Sequence, residues 1–419
     1  MIIVFTMVSV SIKYLGKESY GIWVVLSGMF TWANVADLGM SHGLRNRLAE
    51  ERAKGNLEIG RYYVSTTYAY LIATAIILVV IFIPLIYYIN WNFLLNTTYV
   101  SNETLEHVAL IIVFLFIIQF ILRPIGSIVE AFQWPSINHL IGFHSSAISL
   151  VAIYYLVCQT GKGALSIYAY IIGGVPIIVL LLISIYLFRQ KFPDLSPSVK
   201  YVTRSYLKKI AGLGLSFFVI QLSVIIIFQS DNMIISYLFG PDEVTNYNIT
   251  YRYFSIVISI FVVIIAPFWT AFTDAYHKND FIWIKKIMRM LLLMASGIGI
   301  IAMLLYLISD NVFHLWIDER VSIPKSLSGL MACYVVLMCF HIIFSTFSNG
   351  IGKIKIQLWA VTIAATMNLP LSYYFGKLSG LGPSGVLLAT ISCMIFVDVL
   401  LLFQYFKIID KKAIGIWDK

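Results

Sequence analysis

Tyr70-Leu71-Ile72-Ala73-Thr74-Ala75-Ile76-Ile77-Leu78-Val79-Val80-Ile81-Phe82-Ile83-Pro84-Leu85-Ile86-Tyr87-Tyr88 runs without a single charged side chain. In lipid only a helix satisfies all of its own backbone groups over such a length, so the run is a transmembrane helix in spite of its β-branched content. A helix needs about 20 mostly apolar residues to cross the hydrocarbon. Eleven stretches of the sequence qualify: 19–37, 62–89, 105–129, 137–158, 164–188, 210–238, 246–273, 286–309, 326–349, 354–375 and 384–406. Residues 1–15 make a twelfth, apolar but short.

Composition agrees with this pattern. The 419 residues are 60 % hydrophobic and 12 % charged, with a mean hydropathy of +0.88. Soluble domains carry about 25 % charge. A soluble enzyme, a disordered chain and a secreted disulfide scaffold are excluded. So is a transmembrane barrel, whose strands would alternate over about ten residues. Cys158, Cys333, Cys339 and Cys393 all fall in or at the end of apolar runs and read as packing residues. Met1 to Val10 lacks the basic start and small-residue cleavage site of a signal peptide. The expected fold is an all-α polytopic membrane protein of about twelve helices.

Lys and Arg set the orientation. Twenty-one of the 29 lie in loops that alternate on one side, including Arg45, Arg47, Arg52, Arg189, Lys285, Lys353 and Lys407; six lie on the other side, and Arg123 and Arg252 fall within helices. The cation-rich side is cytoplasmic, and both chain ends are expected there.

The text also repeats. Tyr14-Leu15-Gly16-Lys17-Glu18 through Tyr20-Gly21-Ile22 is echoed by Tyr237-Leu238-Phe239-Gly240-Pro241-Asp242-Glu243, then Tyr247-Asn248-Ile249. Residues 135–188 and 352–406 each read as two helices joined by a Gly-containing turn. Six helices repeated once give two lobes, 1–190 and 210–419, with 191–209 as a cytoplasmic linker, related by an axis along the membrane normal. Lys208 to Ser223 has no counterpart in the first copy. The first helix is therefore expected to be truncated, with a start upstream of Met1.

No P-loop, HExxH or GxSxG pattern occurs, and no catalytic or metal-ligating set is expected. What remains is polarity at membrane depth, which tends to face a bundle interior or water. Arg252 lies within the eighth helix on a polar strip with Asn248, Ser255 and Ser259. Arg123 precedes Pro124 near the inner end of the fourth. Asp231 lies inside the seventh, where the matching first-copy residue is Val8. Asp398 interrupts the last helix, within reach of Lys407. Asp37 and Asn34 lie near the inner end of the second. Asp37-Leu38-Gly39 then leads into a basic amphipathic segment carrying Arg45 and Arg47, which suits either an interfacial anchor on anionic lipid or a substrate entrance.

Tyr14-Leu15-Gly16 through Trp23, and Asp37-Leu38-Gly39 with Gly43-Leu44-Arg45-Asn46, resemble the opening of Wzx-type polysaccharide (O-antigen) flippases of the multidrug/oligosaccharidyl-lipid/polysaccharide exporter superfamily. Phe228-Gln229-Ser230-Asp231 leading to Gly240, and Asn349-Gly350-Ile351-Gly352-Lys353 with Asn368 and Ser372, are similar to that family's later segments. The resemblance implies two six-helix lobes around a central cavity in the bacterial inner membrane. It also implies flipping of an undecaprenyl-pyrophosphate-linked oligosaccharide from the inner to the outer leaflet. Arg252, Arg123 and Asn248 would then meet the anionic substrate, Arg45 and Arg47 would form its cytoplasmic entrance, and Asp231 and Asp37 would serve as coupling-ion or counter-ion carboxylates. No cofactor is implied beyond proton or sodium coupling. The implied partners are the lipid-linked oligosaccharide, the bilayer, a polysaccharide polymerase and a chain-length regulator, with no nucleic acid. A drug or cation antiporter of the same superfamily is the alternative. A membrane polymerase or glycosyltransferase fits less well, because the outside loops are short.

Overall fold

A computed structural model describes residues 2–31, 37, 40–211, 222–223, 225–317 and 323–418. Asn34, Leu38, Gly39, Arg320, Lys419 and most of the expected seventh helix before Leu222 lie outside the described residues. All regular structure among the described residues is helical. The chain divides into two compact units, residues 1–218 and 219–419.

The first unit holds α1 (Ile2–Leu15), α2 (Lys17–Thr31), α3 (Met40–Ala53), α4 (Leu57–Tyr88), α5 (Trp91–Leu95), α6 (Asn102–Leu122), α7 (Pro124–Ala131), α8 (Pro135–Thr160), α9 (Leu165–Tyr186) and α10 (Arg204–Ala211). The second holds α11 (Asp231–Phe239), α12 (Pro241–Ile265), α13 (Phe268–His277), α14 (Phe281–Trp316), α15 (Lys325–Gly350), α16 (Lys355–Tyr373) and α17 (Pro383–Ile409). Eight described helices are long and apolar enough to cross a membrane, with shorter apolar helices at Phe5–Leu15 and Ile225–Phe239. Leu57–Tyr88, which contains the uncharged run from Tyr70 to Tyr88, is one of the eight. Its middle residues, Ile76, Ile77, Val80 and Ile81, stay exposed, as lipid-facing side chains should.

Local chemistry sets the helix ends. Asn56 Oδ1 accepts from Ile59 N at the start of α4, and Ser101 Oγ from Thr104 N at the start of α6, each satisfying one of the unpaired donors of a first turn. Pro124, which has no N–H, restarts the chain as α7 and leaves Arg123 at the joint. The repeat is visible in its turns. Gly16 and Gly240 have φ of +82° and +93°, each closes a helix through its N–H to the carbonyl of Ile12 or Ser236, and each is followed at once by the next helix. Asn349-Gly350-Ile351-Gly352-Lys353 is another helix end: Gly352 sits at φ +73° while Lys353 N donates to Ser348 O.

Two features add to the sequence reading. The stretch 191–209, read as a linker, is packed against the first unit. Leu195 is buried, Arg61 Nε donates to Ser196 O, Ser198 N to Ser65 Oγ and Thr203 N to Thr66 Oγ1, and Tyr201 and Tyr206 pack on Tyr62. The segment is thus docked on α4. The seventh helix, in its described part, is not continuous: helical turns over 225–229 stop at Ser230, and α11 begins afresh at Asp231. Asp231 therefore occupies the first turn after a break.

Candidate functional site

Two helices of the second unit, α12 and α17, close on Asp231 of α11, which is 3 % exposed. Tyr247 on α12 donates its hydroxyl to Asp231 Oδ2 at 2.6 Å. Thr390 on α17 donates to the same carboxylate, with its Oγ1 3.0 and 3.1 Å from the two oxygens. Asn368 on α16 donates through Nδ2 to Thr390 Oγ1 at 3.2 Å, and its Oδ1 lies 3.5 Å from Ser230 Oγ at the break. Hydrogen bonds chained in this way strengthen one another in a low dielectric. No Lys or Arg pairs with Asp231 among the described residues; its hydrogen-bond partners are the hydroxyls of Tyr247 and Thr390. Ser372 Oγ, one helical turn beyond Asn368, and Asn232 Oδ1 are buried without a hydrogen-bond partner. A single carboxylate among neutral oxygens, with oxygen capacity to spare, suits a proton or a small monovalent cation better than a divalent one. No group of three or more His, Cys, Asp or Glu capable of holding a metal ion occurs among the described residues.

Arg252 lies eleven residues into α12, about 16 Å from its start, deeper than a count from the apolar run suggests. Its side chain is exposed, and no carboxylate pairs with its guanidinium among the described residues. Ser255 Oγ donates to Arg252 O and Ser259 Oγ to Ser255 O, both within the helix's own backbone. Asn248, one turn above, is instead buried. Arg123 is exposed at the joint between α6 and α7.

The basic segment after Asp37 is α3, and its apolar face is already covered. Met40, Leu44 and Leu48 pack in one core with Tyr63 and Val64 of α4 and Ile125 and Ile128 of α7. An anchor dipping its apolar face into lipid is therefore ruled out. The polar face is tied down as well: Arg45 bridges to Glu130 at 3.2 Å, and Arg52 donates to Ala131 O at 3.0 Å with its guanidinium 5.2 Å from the Phe132 ring centre. Arg47 is exposed and bridges to Glu50 at 3.0 Å within the helix. Lys54 and Arg47 together hold the Glu50 carboxyl below its ordinary range. Asp37 is buried and accepts from Ser41 N at 3.1 and 3.3 Å, which caps α3.

Asp398 does not pair with Lys407, whose ammonium lies 4.2 Å from the Trp417 ring centre. Its Oδ1 meets His341 Nδ1 of α15 at 2.6 Å. Sequence reasoning missed His341, although an ionisable side chain inside an apolar run is the same signal that marked Asp398. Tyr247 and Thr390 gave no signal, since hydroxyl residues are tolerated in membrane helices at many positions.

A family model described as polysaccharide biosynthesis protein matches residues 1–269. The chain belongs to that family. The polysaccharide biosynthesis family assignment is joined by a second model, MatE, over residues 216–374. A Salmonella typhimurium (strain LT2) protein named as an O-antigen transporter is 25 % identical over 92 % of this chain and 87 % of its own length. A Yersinia pseudotuberculosis protein named as an O-antigen export protein is 22 % identical over 85 % of this chain and 80 % of its own. The fold is that of a multidrug resistance MATE family transporter of the MOP superfamily solved inward-facing, with a TM-score of 0.77 at 18 % identity, covering 98 % of this chain and 96 % of that one. The lipid II flippase MurJ shares it at a TM-score of 0.67 and 17 % identity, over 97 % and 85 % of the two chains. The Wzx-type resemblance read from the sequence is sustained by these relatives.

Proposed function

We propose that this family member is a non-enzymatic flippase that moves an undecaprenyl-pyrophosphate-linked oligosaccharide from the inner to the outer leaflet of the bacterial cytoplasmic membrane by alternating access. The observation that carries the reading is Arg252, an exposed guanidinium halfway along a membrane helix. A charge at such depth costs roughly 2.5–3.5 kcal/mol on the insertion scale, and an anionic substrate offsets that cost. A guanidinium grips pyrophosphate through two parallel hydrogen bonds, which an ammonium cannot do. The relatives named for O-antigen transport support the same substrate class. Arg123 is assigned a second substrate contact and Arg45 and Arg47 the cytoplasmic entrance, with the C-terminus on the cytoplasmic side.

Transport is coupled to a proton or sodium ion held at the Asp231 carboxylate, beside the hydroxyls of Tyr247 and Thr390. Asp37 is engaged in capping α3, so the coupling role rests on Asp231 alone. The likeness to a multidrug transporter favours a second reading, drug or cation antiport. Arg252→Ala tests the site: loss of surface polysaccharide at normal membrane abundance supports it, whereas full complementation by the Ala variant removes Arg252 from the substrate path. Exchange of small organic cations by purified protein that moves no lipid-linked sugar would favour antiport instead.

A further inference from the structure

The ion pair between α15 and α17 is left unused by the coupling site at Asp231, and it stands in an unusual place. His341 lies nine residues before the end of α15 and Asp398 eleven before the end of α17, about 14 and 16 Å along their helices. Both are therefore within the hydrocarbon. Their side chains are 12 and 13 % exposed, and Nδ1 and Oδ1 stand 2.6 Å apart. Asp398 Oδ2, the other carboxylate oxygen, is buried without any hydrogen-bond partner. A pair needed only to tie two helices together would be satisfied by neutral amides or hydroxyls, and would leave no buried oxygen open.

We propose that His341 and Asp398 form a proton-binding site of the second unit, separate from the Asp231 cluster. With one proton shared across the Nδ1–Oδ1 contact the pair is neutral as a whole, which is the state the hydrocarbon favours. Release of that proton to water leaves a neutral imidazole beside a lone carboxylate whose Oδ2 has no donor. Uptake of a proton from water restores the neutral pair. Nothing is oxidised or reduced, and no other bond changes.

Few groups compete for this proton. α14 carries no ionisable side chain between Arg289 and Tyr306, α12 none between Tyr253 and Ile265, and α16 none between Lys355 and Tyr373. On α13 the ionisable residues are Asp274, Tyr276 and His277, in its last turn, and Asp274 already holds Lys278. On α15 and α17 the flanking groups are Cys333, Tyr334, Cys339, Cys393, Tyr405 and Lys407, the last over the Trp417 ring. The turn after α16 brings Tyr374 and Lys377, and the described tail brings Asp410, Lys411, Lys412 and Asp418, of which Asp418 holds Lys353 and Lys411 lies over the Phe281 ring. α11 brings Asp231, which is bound by Tyr247 and Thr390.

The pair also touches the broken helix. The ring of Phe228 lies 6.2 Å from that of His341, and Phe228 stands two residues before Ser230, where the chain breaks ahead of Asp231. The imidazole thus stands beside the turn that leads into the Asp231 cluster, while the two proton-holding centres are distinct sets of atoms.

The test is infrared difference spectroscopy of the purified full-length protein in lipid nanodiscs, titrated from acid to alkaline pH. The wild type should show a buried carboxyl band that titrates. That band should be lost in Asp398→Asn, moved by about one pH unit or more in His341→Gln, a tenfold change in proton affinity, and retained in Asp231→Asn. Should Asp398→Asn fail to accumulate, His341→Gln carries the test alone, because its amide keeps a donor facing the carboxylate. A titration in Asp398→Asn or His341→Gln that matches the wild type overturns the proposal, as does a wild-type spectrum with no titrating carboxyl band. Loss of the band in Asp231→Asn but not in Asp398→Asn assigns the proton to the Asp231 cluster instead.

Discussion

Tyr247 and Thr390, on α12 and α17, close on the Asp231 carboxylate from two helices, at 2.6 Å and 3.0 Å. The carboxylate thus joins the start of α11 to the rest of the second unit through neutral hydroxyls. In the first unit the matching position, Val8, is buried and apolar, so a six-helix lobe does not need an acid there to hold together.

Tyr247→Phe removes one donor and leaves the ring in place. Interhelical hydrogen bonds in membranes contribute about 0.6 kcal/mol on average and up to about 1.7. A loss near the upper figure is expected for a bond to a carboxylate, read as a lowered unfolding midpoint in detergent. Asp231→Asn should keep membrane abundance and reduce polysaccharide display. Abundance and display falling in equal proportion would make Asp231 structural.

Gly385 opens α17 against the preceding turn. A Cβ there would lie 2.3 Å from Phe375 O and 2.7 Å from Gly376 N, and backbone cannot step aside cheaply. Gly385→Ala should destabilise by about 1–3 kcal/mol or more. Gly174→Ala in α9, where a Cβ meets nothing within 4 Å, is the control and should fold normally. Equal thermal midpoints for the two variants would refute the packing argument.

The split of Lys and Arg predicts sidedness. A reporter placed after Thr98 should be external, and one within residues 195–200 cytoplasmic. The second site lies in the docked segment beside Ser196, whose carbonyl receives Arg61, so an insertion at residues 199–200 is the safer choice. Reversed signals would overturn the orientation.

The helices were legible because lipid allows the backbone one solution, and a run such as Leu71 to Tyr88 has no alternative. The repeat was legible because Gly16 and Gly240 must both adopt a positive φ, which keeps glycine in both copies. Asp231 stood out as a carboxylate where carboxylates are costly. Its partners did not, because Thr390 is 159 positions away and nothing local marks a hydroxyl that faces an acid. Asp398 illustrates the same limit: Lys407 is its neighbour in sequence, but His341 is its neighbour in space. The apolar face of α3 suited lipid and protein equally well as text. Only the packing of Leu44 and Leu48 against α4 and α7 decides between them.

Arg45 and Glu130 are each about a third exposed or more in their bridge, so the pair contributes at most about 1 kcal/mol to stability. Arg45→Ala should leave abundance and thermal midpoint nearly unchanged while lowering polysaccharide display several-fold. Display equal to the parent would remove Arg45 from the entrance.

The central claim is lipid-linked oligosaccharide transport through a path that uses Arg252. Purified protein reconstituted into vesicles with an undecaprenyl-pyrophosphate-linked oligosaccharide gives the direct measurement: the rate at which the sugar in the inner leaflet becomes accessible to an impermeant sugar-modifying reagent outside. The rate should be well above that of protein-free vesicles, reduced about tenfold or more in Arg252→Ala and only partly restored in Arg252→Lys, which keeps the charge but not the two-pronged contact. A rate equal to protein-free vesicles, with the same protein exchanging small organic cations for protons or sodium, would contradict it.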